Sequence, residues 1–502
     1  MIRHAAFHWF LLQFRFAEAL GCRERVEAVD DASLWACHRL GLYKTVAESG
    51  HEPSSWRARL AFVASLAAVG RHEEAAQRVH GLVTERMAVS RRVAVAQALA
   101  PFAPELALLA ADCQNVPVCL RAGLLLRTKQ NAAAAELIAG AGNAKGSPHP
   151  AEFELLRGNV IGSQDARRLD HLNAFLKRHS LPPVALSDAS LPPGPGNFRS
   201  ANPLPSVRGP LVSILMTTYR TAARVEASLR SLLAQTYQDI EVIVVDDASD
   251  DSTWEVISAI AGQDSRVRCL RLPCNAGTYV AKHAGFLHAK GEFVTCHDSD
   301  DWAHPLRIQL QVMPLLRSGN CVCSTSEWVR MQDDGLSYAR QVHPLQRLNP
   351  ASPLFRKDLV RDRAGLWDAV RTGADSEFLA RIKLVFGRSA VKKLALPLTF
   401  GSHRPDSLMT AVDTGHSTQR VSPDRLDYWE AWTCWHIHEL RHGRHPHLMI
   451  QPKGERKYPA PESLRISEQV LNACLEASVS AIPTADSGAY KPKAANFDQS
   501  RL

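Results

Sequence analysis

Two rhythms of apolar residues divide this chain. Through about residue 177 it is rich in Ala, Leu and Arg at helical spacing, with few strand signals. Residues 55–69 and 70–76 outline a helical hairpin, and residues 124–137 carry a weaker echo of it. Pro182-Pro183 and the run Leu191-Pro192-Pro193-Gly194-Pro195-Gly196 then predict an extended linker poor in secondary structure. From residue 211 the pattern is different. Residues 211–216 are a short apolar run, 224–233 an amphipathic helix, and 242–245 an unbroken apolar strand that ends in Asp246-Asp247. A second helix starts at Ser252, which has capping-box spacing to Glu255, and runs to about residue 261. A third strand over 267–272 leads through Asn275-Ala276-Gly277 into a helix over about 279–289, Gly291 ends it, and strand 292–296 follows. Four strands thus alternate with three helices. The continuously apolar first strands predict a parallel sheet covered on both faces, and the alternating 267–272 is expected nearer an edge.

In such sheets ligands sit beyond the carboxyl ends of the strands, where Thr217, Thr218, Tyr219, Asp246, Asp247, Asp298 and Asp300 all fall. The tetrapeptide Asp298-Ser299-Asp300-Asp301, read alone, is equally a solvated acidic turn. At a strand end it suits a divalent metal holding a diphosphate, because hard oxygen ligands select Mg²⁺ or Mn²⁺ and leave positions for phosphate. An EF-hand is excluded, since Ala303 stands where the loop needs Gly and Gln309 where it needs Glu. Neither a glycine-rich dinucleotide fingerprint nor a P-loop is present, so phosphate has to be held by metal and side chains.

In residues 212–219, 244–249 and 289–292, the last leading to Asp298-Ser299-Asp300-Asp301, the chain resembles the family 2 glycosyltransferases of the GT-A fold, over about 210–410. The resemblance implies an α/β GT-A domain with a mainly parallel sheet. It implies that Thr217 and Tyr219 line the nucleotide pocket, that Asp247, with Asp246, contacts the base, and that Asp298 faces the ribose. Asp300, with Asp298, would hold Mn²⁺ or Mg²⁺, and Asp301 would support the metal shell or the sugar. Lys282-His283 stands where the family commonly has Arg-Asn.

Inverting transfer needs a general base for the acceptor hydroxyl. Gly373-Ala374-Asp375-Ser376-Glu377-Phe378, with Arg381 after it, resembles the family segment that supplies one, which makes Asp375 the expected base and Glu377 its substitute. A helix-capping Asp with a solvated Glu is the plainer alternative. Trp367 offers either a platform for a sugar ring or a core side chain. Residues 403–408 resemble the loop that closes over the diphosphate, so His403 would contact phosphate or metal and Arg404 would balance the leaving charge.

The length of 502 residues allows several domains. Expected are a helical region over 1–180 similar to degenerate tetratricopeptide repeats, a linker over 181–209, the transferase over 210–410, a helical extension over 411–475 and a disordered tail over 476–502. In the extension, Trp429, Trp432 and His436 form a core-facing stripe, whereas the histidines from His436 to His447 match no standard zinc spacing. The charge of +8 comes without an arginine-rich run, which argues against nucleic acid and for acidic nucleotide sugars, anionic glycans or a lipid surface. Eleven cysteines without a C-x-x-C pair read as reduced and cytoplasmic. Residues 5–16 read as an amphipathic helix, too short and too interrupted to span a membrane, with peripheral contact at the inner face left open. The helical region offers a face to a protein partner or simply packs on the transferase. The expected activity is inverting transfer from a nucleotide-diphosphate sugar, a UDP-sugar first, to a glycan or lipid-linked acceptor. The alternatives are a scaffold that binds nucleotide sugar without turnover, and a nucleotidyltransferase, which would want a glycine-rich basic loop after the first strand.

Overall fold

The computed structural model describes residues 2–83, 87–143, 149–162, 165–405, 407, 415, 420–450 and 455–480. Twelve helices among these, from Ile2–Leu12 to Arg167–Arg178, precede the first strand. The expected hairpin is formed by Trp56–Ala68 and His72–Leu82. Alanines and leucines such as Leu34, Leu66, Leu99 and Leu124 supply the core of this region, and Leu426 and Ile437 of the helix Pro423–Arg441 complete it. That late helix is therefore shared. Its Trp429 indole donates to the Leu40 carbonyl at 2.7 Å, while Trp432 and His436 are buried toward the transferase.

The expected linker is not a bare tether. Two short strands, β1 (Val184–Leu186) and β2 (Phe198–Ser200), pair antiparallel within it. The Asn197 amide donates to the carbonyls of Asp188, Leu191 and Pro192, satisfying a turn that proline cannot satisfy from its own backbone. Phe198 anchors the pair against Trp302 and Phe400, with ring centroids 5.7 and 5.2 Å away.

The strands that follow are β3 (Val212–Thr218), β4 (Ile240–Asp246), β5 (Val267–Arg271), β6 (Phe293–Asp298), β7 (Trp302–Ala303), β8 (Cys323–Met331), β9 (Ser337–Tyr338), β10 (Gln346–Leu348), β11 (Leu354–Arg356) and β12 (Val391–Ser402). They form one sheet in the order β5-β4-β3-β6-β11-β8-β12-β7, with β9 and β10 also on β8. The pairs from β5 to β6 are parallel, and β11 is antiparallel to both β6 and β8. Strand alternation explains why the first strands are apolar throughout: Ile214, Met216, Val242 and Val244 pack under Ala222–Leu233 and Thr253–Gln263, and Leu215, Ile243 and Val245 pack on the other face with Thr278–Leu287. The alternating β5 lies at the edge. Gly291 is required for tightness, since a Cβ there would stand 2.6 Å from the Ser213 nitrogen. One local expectation fails. Ser252 makes no capping bond; the Asp251 carboxylate takes the Thr253 amide (3.1 Å) and hydroxyl (2.5 Å), because its side chain already reaches the first turn. Of the expected tail, residues 476–480 belong to the helix Glu468–Ser480, and 481–502 lie outside the described residues.

Candidate active site

Sheet register assembles the floor of the site. Thr217 pairs with Asp298 across β3 and β6, and Thr218 with Asp246 across β3 and β4. The Thr217 hydroxyl lies 2.7 Å from that of Thr278, which opens the helix Thr278–Leu287. Tyr219, just past β3, is 40% exposed with the Arg220 guanidinium 5.1 Å from its ring. The neighbouring aspartates diverge. Asp246 is fully buried and accepts from the Ser249 hydroxyl at 2.5 Å, the Ser249 amide and the Thr218 hydroxyl, with the Arg271 guanidinium 3.3 Å away, so it holds the turn. Asp247 accepts from the amides of Ala276 and Gly277, each at 2.7 Å, and from the Asn275 side chain at 3.0 Å. Burial pushes its carboxyl up to about 6 although these donors oppose the rise. Three donors leave one acceptor position of a carboxylate's roughly four.

Beyond β6 the acidic residues crowd together. Asp300 takes the Arg404 guanidinium at 3.0 Å, and Asp301 accepts the Ser402 amide at 3.0 Å. Burial raises the carboxyls of Asp298, Asp300 and Asp301 above the ordinary range; Lys282 opposes this at Asp298 and Arg404 at Asp300, while at Asp301 the two other aspartates add to it. Below them Arg307, fully buried, bridges the Cys296 carbonyl and the His297 ring, each at 2.7 Å, and braces the end of β6. A site this rich in crowded carboxylate oxygens fits a hard divalent cation, with Asp300 and Asp298 as its holders and phosphate and water supplying the remaining ligands. No group of three or more metal-binding side chains converges among the described residues.

The opposite wall is the start of the helix Ala374–Phe386, entered through Gly373 at φ 94°. Asp375 lies there with its carboxylate 2.9 and 3.2 Å from the Lys282 ammonium and 3.2 Å from the Tyr279 hydroxyl. Lys282 is buried, which favours its neutral form, yet the Asp375 charge holds its pKa above the ordinary value. Asp375 and Asp298 are close enough that the charge of Asp375 raises Asp298. Glu377 is not brought to this cleft. Two residues along the helix it faces inward, fully buried between Arg381 (2.7 Å) and His436 (2.9 Å). Trp367 is 2% exposed and packs on Phe378 and Phe355, so it is a core side chain and not a platform. His403 stacks on Tyr338 at 3.7 Å, and burial with the charges of Arg330 and Arg127 lowers it to about 4; its Nδ1 is buried without a hydrogen-bond partner among the described residues. Asp406 and Leu408 of the expected closing loop lie outside the described residues.

Residues 213–376 match the family model described as glycosyl transferase family 2. The chain is 35% identical over 109 residues to an uncharacterized glycosyltransferase of Haemophilus influenzae, covering 22% of this chain and 44% of that one. It is 42% identical over 91 residues to glycosyltransferase GlyG of Streptococcus pneumoniae, covering 18% and 30%. It is 36% identical over 102 residues to the Escherichia coli UDP-Glc:alpha-D-GlcNAc-diphosphoundecaprenol beta-1,3-glucosyltransferase WfaP, covering 20% and 40%. The chain thus spans less than half the length of each of these relatives. Among solved structures, Staphylococcus aureus TarS 1-349 in complex with UDP-GlcNAc aligns at 16% identity and TM-score 0.35 over 46% of this chain and 65% of that one.

The candidate site contains charged and polar neighbours that residue patterns did not single out. Lys282 showed only as a departure from Arg, although a lysine in the apolar helix run Tyr279-Val280-Ala281-Lys282 is itself a signal of a buried counter-ion. Tyr279, one turn earlier on the same face, points at the same carboxylate. Arg330, whose Nη2 donates to the Ser402 carbonyl at 2.8 Å, adds positive charge beside the acidic triplet and had no local signal.

Proposed function

We propose that this chain transfers a glycosyl group, with inversion, from a nucleoside diphosphate sugar to the hydroxyl of a surface polysaccharide or lipid-linked saccharide, working at the cytoplasmic side. A UDP-sugar is the donor this reading favours. The observation that carries it is the meeting of Asp375 with the strand-end aspartates around the buried Lys282. Support for the acceptor class comes from the printed name of the E. coli relative, which pairs a UDP-sugar with a diphosphoundecaprenol-linked saccharide.

In this reading Thr217 and Tyr219 flank the nucleotide, and Asp247 offers its remaining acceptor position to the base. Asp375 takes the proton of the acceptor hydroxyl as that oxygen bonds to the anomeric carbon. The bond from that carbon to the diphosphate breaks in the same displacement, and the diphosphate leaves with its electron pair. Arg404 lies where it balances the departing charge, and Lys282 and Tyr279 hold the Asp375 carboxylate at a fixed orientation. A Mg²⁺ or Mn²⁺ ion on Asp300 and Asp298 would supply further charge to the leaving diphosphate.

A thermal-shift screen of nucleoside diphosphate sugars with Mn²⁺ identifies the donor through stabilisation by binding. NMR of the product made from that donor is expected to show the opposite anomeric configuration. A retained configuration would exclude one base and one displacement.

A further inference from the structure

The end of the first helix presents apolar side chains that the fold does not use. Phe7 is buried and Phe10 and Leu11 pack inward, yet Trp9, Leu12 and Phe14 are 52%, 80% and 61% exposed. Phe14 follows the helix Ile2–Leu12 in a left-handed conformation, φ 56°, which costs a bulky residue energy and turns the chain at that point. Its carbonyl is held from the transferase by the Arg388 guanidinium at 2.7 Å. Its ring meets Phe16 edge-on at 6.2 Å, and Arg39 lies over Phe16 at 5.2 Å.

Cations lie beside this patch. Arg39 and Arg388 are exposed, and neither has a carboxylate partner among the described residues; Arg15 is neutralised by Glu18 at 2.9 Å. We propose that Trp9, Leu12 and Phe14, with Arg39 and Arg388 beside them, form a docking site for an anionic lipid bilayer. Three apolar side chains are too few for a stable protein interface, which needs about 800 Å² on each partner. They suffice at a bilayer surface, where an aromatic and an aliphatic side chain enter the headgroup region and basic residues meet the anionic lipids.

The same contact ties lipid to catalysis. Arg388 follows the C-terminal end of Ala374–Phe386, whose N-terminal end carries Asp375; at 1.5 Å per residue these 13 residues span roughly 20 Å. Docking at Phe14 and Arg388 thus holds the cleft at a set distance from the membrane. The bilayer contact stands without the glycosyl-transfer reading; only its link to Asp375 rests on that reading.

Co-sedimentation of the full chain with phosphatidylcholine vesicles, with and without phosphatidylglycerol, tests it. Binding is expected only with phosphatidylglycerol, weakened roughly tenfold or more by Trp9→Ser/Leu12→Ser/Phe14→Ser and by Arg39→Glu/Arg388→Glu. The single variant Leu12→Glu, at a solvent-facing position, serves where the triple variant fails to fold. Three results overturn the proposal: no binding to either vesicle, binding that both sets of variants leave unchanged, or a wild-type dimer that Leu12→Glu dissociates, which would assign the patch to a second copy.

Discussion

Lys282, buried, and Asp375, partly exposed, form an ion pair at 2.9 Å, contributed by helices 93 residues apart in sequence. A lysine taken out of water needs its partner, and the partner needs it: removing one leaves the other charged in a poorly solvated place. Lys282→Met is therefore expected to lower turnover by roughly tenfold to a hundredfold through misplacement of Asp375, with donor affinity little changed. Lys282→Arg keeps the charge and is expected to retain most activity. Equal losses in both variants would show that packing volume, and not charge, is what the position requires.

Glu377 predicts a stability effect. Although burial alone would raise its pKa, Arg381 and His436 hold its carboxyl down to about 2 from an ordinary 4.5. A depressed carboxylate stabilises the fold above its unfolded pKa, and this contribution is lost as pH falls through its folded value, so the window runs from about 4.5 down to about 2. Glu377→Gln should cost about 3–5 kcal/mol by stranding Arg381. Denaturant unfolding at pH 7 and pH 3 checks this, since the difference between variant and wild type should shrink at the lower pH.

Asp300 tests the metal. Asp300→Asn removes a hard ligand while keeping side-chain size, and it is expected to abolish donor turnover in Mn²⁺ or Mg²⁺ without lowering the melting temperature. The raised carboxyl of Asp300 makes the wild type no less stable when that charge is lost. Full wild-type activity in excess chelator would remove the cation from the account.

Deleting residues 1–180 is expected to give an insoluble transferase. Leu426 and Ile437 of Pro423–Arg441 are buried against the N-terminal helices, and Glu430 takes the Thr45 hydroxyl at 2.6 Å. A soluble fragment that binds donor would show that this shared core is dispensable.

The first half of the sheet was legible because β3, β4 and β6 are largely apolar runs with turn residues between them, and both faces of each are covered. The second half was not. β8 buries Ser324, Thr325 and Ser326; the Ser324 hydroxyl donates to the Gln311 carbonyl and the Ser326 backbone amide donates to the Ser352 hydroxyl, so polarity there does not mean exposure. The acidic triplet was legible since its meaning is local. Asp246 looked equivalent to Asp247, and only the turn to Ser249 separates them. Glu377 and Asp375 differ in the same way: two residues along a helix point to different sides, and which side is the cleft depends on Lys282 and His436, both far off in sequence.

Asp375 as base is the central claim, and steady-state turnover by Asp375→Asn beside Glu377→Gln tests it most directly. Asn caps a helix about as well as Asp but does not accept the proton. Turnover by Asp375→Asn should fall by roughly two to four orders of magnitude with donor binding preserved, and Glu377→Gln, at a temperature where it stays folded, should keep near-normal turnover. Near-normal turnover by Asp375→Asn would contradict the account.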